Sequence, residues 1–163
     1  MQQESQREHQ WLQQLAGEWT FETECDMGPD KPREKGGGRE AVRSFGTWII
    51  AEGEGGEPGS GWKSVMTLGY DPARGRFVGT FVATMMTHLW VYEGSLDESG
   101  TKLTLDTEGP NFTDGRIVKY QDIIGITEDG RRTLSSRMLG DDGQWHEFNT
   151  AQYRRAVAAA GQR

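Results

Sequence analysis

The chain has 163 residues, enough for one domain that buries roughly two-thirds of its unfolded surface, and its 34% hydrophobic content with 6 Trp, 6 Phe and 4 Tyr argues against disorder. A formal charge of −7, with Arg and Lys scattered among acids, opposes binding to phosphate backbones, so no nucleic-acid partner is expected. The single cysteine, Cys25, excludes an internal disulfide and a thiolate pair for a metal.

In chain order, Ser5 and Glu8 have capping-box spacing, and Trp11, Leu12 and Leu15 then form one apolar stripe before Gly17. This predicts a short helix that must lie on another element to be stable. From Trp19 the period becomes two: Trp19, Phe21, Thr23, Cys25 and Met27 alternate with Glu18, Thr20, Glu22, Glu24 and Asp26. Further strands are predicted over Arg39 to Phe45, Trp48 to Glu54, Trp62 to Tyr70, Arg76 to Ala83 and His88 to Leu96. Lys102 to Glu108, Ile117 to Ile126, Thr133 to Leu139 and Trp145 to Arg154 complete the set. Turn residues such as Asp71-Pro72, Asp97-Glu98-Ser99-Gly100, Asp114-Gly115 and Asp141-Asp142-Gly143 separate them.

About ten strands joined by hairpins make a meander, and closing it removes the exposed edges. The expected fold is therefore all-β: an antiparallel up-and-down barrel of about ten strands with a short N-terminal helix. One domain is expected over residues 5–155, with flexible termini at 1–4 and 156–163. Gly28 to Gly37 and Gly53 to Gly61 lack an apolar period and read as loops, either flanking an opening or without a role.

Gly17-Glu18-Trp19, where a short helix hands over to the first strand, resembles the Gly-x-Trp signature of lipocalins and the wider calycin group. That resemblance implies that an Arg of the last strand, Arg154 or Arg155, packs across Trp19 and closes the barrel. Glu8-His9-Gln10-Trp11-Leu12, Leu15-Ala16-Gly17-Glu18-Trp19, Gly69-Tyr70-Asp71-Pro72, Phe77-Val78-Gly79-Thr80 and Leu89-Trp90-Val91-Tyr92-Glu93-Gly94 are similar to a mainly bacterial family known as domain of unknown function 1579. The resemblance spans about Glu8 to Arg155 and implies a calycin-like barrel with no assigned activity. Lipocalins are mostly secreted, whereas no stretch here approaches the roughly 20 apolar residues of a membrane span and no signal peptide is visible. The expectation is a cytoplasmic protein without a membrane partner.

Candidate site residues cluster in Thr84 to Glu93. Alternation puts His88, Trp90 and Tyr92 on one face. Either that face lines a cavity with Met86 at its edge, or His88 caps a strand end while the aromatic rings fill the core. Val118, Tyr120, Asp122, Ile124 and Ile126 share a face, which places a carboxylate among apolar neighbours with Arg137 or Arg116 as the expected partner. In the last strand His146, Phe148, Thr150 and Gln152 share one face, and Trp145, Glu147, Asn149, Ala151 and Tyr153 the other. No spacing selects a metal ligand. Barrels related to the calycin group bind haem through an axial His, but no motif selects His88 or His146, so neither haem nor metal is expected.

The leading expectation is a carrier that holds a small, partly apolar ligand against Met86, Trp90, Tyr92 and Trp145, with His88, Arg137 or His146 near a polar end. A cofactor-free isomerase, cyclase or hydrolase with His88 or Asp122 as general base is the alternative. A third reading is a structural module that forms a homodimer.

Overall fold

The computed structural model describes residues 7–56 and 61–156. Helix α1 spans Arg7–Gln13, and the strands are β1 (Gly17–Cys25), β2 (Glu34–Phe45), β3 (Trp48–Gly55), β4 (Trp62–Asp71) and β5 (Arg76–Ala83). The second half adds β6 (Trp90–Leu96), β7 (Lys102–Pro110), β8 (Ile117–Ile126), β9 (Arg132–Leu139) and β10 (Trp145–Arg155). Every strand pairs antiparallel with its sequence neighbours, and β1 pairs with β10, closing the barrel. Among the described residues no helix is long and apolar enough to cross a membrane.

Helix α1 plugs one end of the barrel. Its apolar stripe turns inward, so that Leu12 and Leu15 are essentially inaccessible beside Trp19, Ile49, Leu68, Phe77, Leu103, Leu105 and Ile124. Each such aliphatic or aromatic side chain contributes about 1.5–3 kcal/mol of transfer free energy, which is what a seven-residue helix needs in place of intrinsic stability. Two polar contacts fix its position: Trp11 Nε1 donates to the carbonyl of Gly100 at 2.7 Å, and His9 Nε2 lies 3.0 Å from the carbonyl of Tyr70. The expected cap at Ser5 lies outside the described residues.

Closure follows from one cation over one ring. The Arg155 guanidinium sits 4.1 Å from the Trp19 ring centroid and donates to the carbonyls of Ala16 at 2.5 Å and Gln14 at 2.8 Å. Trp19 Nε1 in turn donates to the carbonyl of Leu15 at 2.8 Å. Gly17 has φ +130°, and a Cβ there would meet Arg155 Nη1, so the glycine supplies both the turn and the space for the guanidinium. Of the two arginines left open by the sequence, Arg155, the cross-strand partner of Trp19, makes this closure, while Arg154 alternates to the other face opposite Thr20.

Several boundaries differ from the sequence reading. Residues 34–37, read as loop, are paired strand: a Cβ on Gly36 would crowd Thr23 Oγ1, one on Gly37 the Phe21 carbonyl, and one on neighbouring Gly38 would strike the Phe21 ring and the Glu54 carbonyl. Gly53 and Gly55 likewise belong to β3 and leave space for the Trp62 indole. The first strand ends at Cys25, and Met27 is exposed. His88 and Leu89 precede β6 rather than belonging to it. A bulge between Glu147 and Asn149 breaks the alternation expected along β10, so that Trp145 and Tyr153, expected on one face, lie on opposite sides of the wall.

Candidate functional site

Inward side chains divide the barrel into two halves. Next to α1 most of them are close-packed and inaccessible, with Tyr70 and Leu96 staying partly accessible. Toward the opposite end the inward-facing Trp62, Met66, Phe81 and Leu134 keep accessible surface although they pack against the core. A side chain that points inward and is still accessible borders either an internal space or the open end of the barrel.

Asp122 stands on this inner wall. It shares the inward-facing row of β8 with Tyr120 and Ile124, and the residue is half-buried. Tyr92, from β6, donates its hydroxyl to Asp122 Oδ2 at 2.5 Å, and Ser136, from the adjoining strand β9, also hydrogen-bonds to the carboxyl. Burial pushes the Asp122 carboxyl above its ordinary range, and the hydrogen bonds from Tyr92 and Ser136 offset only part of that. Burial and the adjacent carboxyl together push the Tyr92 phenol well above its usual value.

The expected cationic partner of Asp122 is absent. Arg137 points outward, where its Nε donates to Gln121 Oε1 at 2.8 Å and its guanidinium lies 5.1 Å from the Trp145 ring. Arg116 pairs with Asp114 and Asp141 in the loops. The reason is registry: Gln121 and Arg137 are cross-strand partners on the outer face, one residue out of phase with Asp122 and Ser136.

Two further polar groups face inward. Arg132 and Glu40 form an ion pair at 2.5 Å across the lower barrel, with side chains only 5% and 11% exposed, and the guanidinium covers the Tyr153 ring at 4.0 Å. Their angles miss hydrogen-bond alignment, so Arg132 Nε and Nη1 and Glu40 Oε1 are left without an aligned partner. Thr107, two register steps from Asp122 along β7 and β8, has an enclosed hydroxyl with no hydrogen-bond partner among the described residues.

The sequence candidates fall in three places. Trp90 and Tyr92 face inward and are buried, with the Trp90 ring edge-on to Tyr120 at 5.0 Å. His88 and Met86 lie at the rim. His88 Nε2 is 2.8 Å from the carbonyl of Glu108, an acceptor only, so this nitrogen carries the proton and donates. His146 is also a rim group, paired with Asp142 at 2.9 Å. Arg137 and Trp145 stand outside the lumen, Trp145 at the edge of an open concavity of about 880 Å³ along β5 to β8 whose lining mixes outward Val91 and Glu93 with inward Tyr92, Thr107 and Tyr120. The two histidines thus spend their ring nitrogens on rim contacts rather than on Asp122. Among the described residues no group of three or more His, Cys, Asp or Glu side chains gathers into a metal-binding set. Cys25 donates its thiol to Asn149 Oδ1 at 3.2 Å, and burial raises its pKa, which leaves it a poor nucleophile.

Sequence reasoning missed Ser136, Thr107, Glu40 and Arg132. Arg132 carried a usable signal: Arg132, Leu134, Ser136 and Met138 alternate, but the strand was read from Thr133 onward, one residue too late to include it. Ser136 and Thr107 carried none, since a hydroxyl on an apolar face reads equally as core or as network.

The chain belongs to the family described as "Protein of unknown function (DUF1579)", whose family model matches residues 4–155. Among solved structures it is similar to the one titled "Crystal Structure of Rv2717c from M. tuberculosis", with a TM-score of 0.62 and 14% identity over 94% of this chain and 100% of that one. At that identity the likeness shows a shared fold. No curated protein matches the chain.

Proposed function

We propose that this DUF1579-family barrel is a binding protein that holds a small, partly apolar molecule in the upper half of its interior. One observation carries the reading: inward-facing Trp62, Met66, Phe81 and Asp122 remain partly accessible, whereas most side chains against α1, Leu12, Leu15, Trp19 and Phe77 among them, do not. Apolar walls with a few convergent polar groups are the usual make-up of a small-molecule site. Here the walls are aromatic, sulfur-bearing and aliphatic, and the polar groups are Asp122, Tyr92 and Ser136. Trp90 and Tyr92 belong to the wall in this reading, whereas Arg137 and Trp145 do not.

Thermal-shift screening against a library of hydrophobic metabolites tests it. A ligand present at about 100 times its dissociation constant adds about 2.7 kcal/mol of stability, a shift of several degrees for a chain of this size. A library without a stabilising member, together with a crystal structure whose interior is filled by side chains, would overturn the reading.

The placement of Asp122 also supports a second reading, a cofactor-free enzyme in which this carboxyl exchanges a proton with substrate in the same space. A buried acid with a raised pKa and a phenol at 2.5 Å is suited to that task. Turnover of a bound ligand that disappears in Asp122→Asn while binding persists would favour the enzyme over the carrier.

A further inference from the structure

Resting on the binding reading above, we propose that the barrel interior selects an apolar amine, seated with its ammonium group against Asp122, and rejects apolar carboxylates. Charge placement on the inner wall carries this. Among the described residues Arg132 is the one Lys or Arg side chain enclosed within the barrel, and it is already paired with Glu40 at 2.5 Å. Arg137, Arg116, Arg74 and Arg43 are all engaged outside the lumen, with Gln121, Asp114, Glu93 and Glu52 respectively. Among the described residues Asp122 has only hydroxyl partners, Tyr92 and Ser136, so its charge is hydrogen-bonded but uncompensated there.

A ligand carboxylate entering this space would therefore meet one free carboxyl and no free cation, and it would lose its hydration without compensation. An ammonium group would instead complete an ion pair that the protein itself leaves half-built. Such a pair gains from the low dielectric that penalises either charge alone. The aromatic lining helps in the same direction wherever Trp62, Trp90 or Tyr92 turns a π-face to the space, because a cation is attracted to that face and a carboxylate is not. The enclosed Thr107 hydroxyl, which has no partner among the described residues, is an additional acceptor for an N–H once its side chain turns.

Isothermal titration of the intact protein with n-octylamine, n-octanol and octanoate, each below its micelle concentration at neutral pH, provides the test. The three share one alkyl chain and differ only in the head group. The amine is expected to bind tightest, with octanoate weaker by about tenfold or more. Asp122→Asn is expected to collapse the preference of amine over alcohol to about unity, and Arg137→Ala, on the outer face, to leave it unchanged. Octanoate or octanol binding as tightly as the amine overturns the inference and leaves the binding reading standing. If none of the three binds, the inference falls, and the metabolite library and the crystal structure decide the binding reading by themselves. Should Asp122→Asn not fold, the order of the three ligands on the unaltered protein still decides.

Discussion

The Arg155 guanidinium lies 4.1 Å above the Trp19 ring and donates two hydrogen bonds to the carbonyls that end the N-terminal helix turn, so a single side chain ties the last strand, the first strand and the plug together. Cation–π stacking contributes about 0.5–2 kcal/mol and each charged hydrogen bond about 1.5–3. Arg155→Ala is accordingly expected to lower unfolding stability by about 2–4 kcal/mol in urea denaturation, and Arg154→Ala by no more than about 0.5. Gly17→Ala should behave like Arg155→Ala, since the new methyl occupies the position of Arg155 Nη1 at a backbone angle that side chains avoid. Equal effects at Arg154 and Arg155 would contradict this assignment.

The Glu40–Arg132 pair makes a different prediction. With side chains 5% and 11% exposed, removing one partner strands the other, a change that typically costs about 3–5 kcal/mol. Arg132→Met should therefore be strongly destabilising, and Glu40→Gln introduced into that variant should restore part of the loss. Denaturation of the two single variants and the double variant measures the coupling. Strictly additive losses would show that the pair is not coupled.

Room on the inner wall is set by glycine. A Cβ at Gly109 would overlap the Trp90 ring, which in turn packs edge-on against Tyr120 at 5.0 Å. Gly109→Ala is expected to cost about 1–3 kcal/mol and to alter the near-ultraviolet circular dichroism of Trp90. An unchanged spectrum and stability would mean that the indole has space to move.

Asp122 should leave a pH signature. Its folded pKa is raised above the ordinary 3.8 by burial, so the folded chain binds this proton more tightly than the unfolded chain does. The associated stability is fully present below about pH 3.8 and is lost as pH rises through the folded value. Relative to Asp122→Asn, whose amide does not titrate, the unaltered protein should thus lose stability from about pH 4 upward. Urea midpoints of both proteins measured from pH 4 to pH 8 provide the comparison. A constant difference across that range would contradict the burial of an uncompensated carboxyl.

Strand number, barrel closure and the inner-facing Trp90, Tyr92 and Asp122 were legible in the sequence, because a period of two is local and a signature at Gly17 and Trp19 marks where the ends meet. The glycine-rich start of the second strand was not, since its residues carry no apolar pattern and serve by leaving space for the chain at Phe21 to Thr23 and at Glu54. Arg137 and Trp145 were misplaced for separate reasons. Arg137 was paired with Asp122 on charge alone, although one residue of phase puts them on opposite faces. The face of Trp145 depended on a bulge at Phe148 that no residue pattern announces. Pairings that reach across the barrel, such as Glu40 with Arg132, depend on closure and have no local trace.

The most direct test of an accessible upper interior is the amide and side-chain NMR spectrum of the protein titrated with n-octylamine and n-octanol. The account predicts that shift changes concentrate on Met66, Phe81, Tyr92, Asp122 and Ser136. Changes confined to Leu89, Val91 and Ile117 on the outer wall, or none at all, would contradict it.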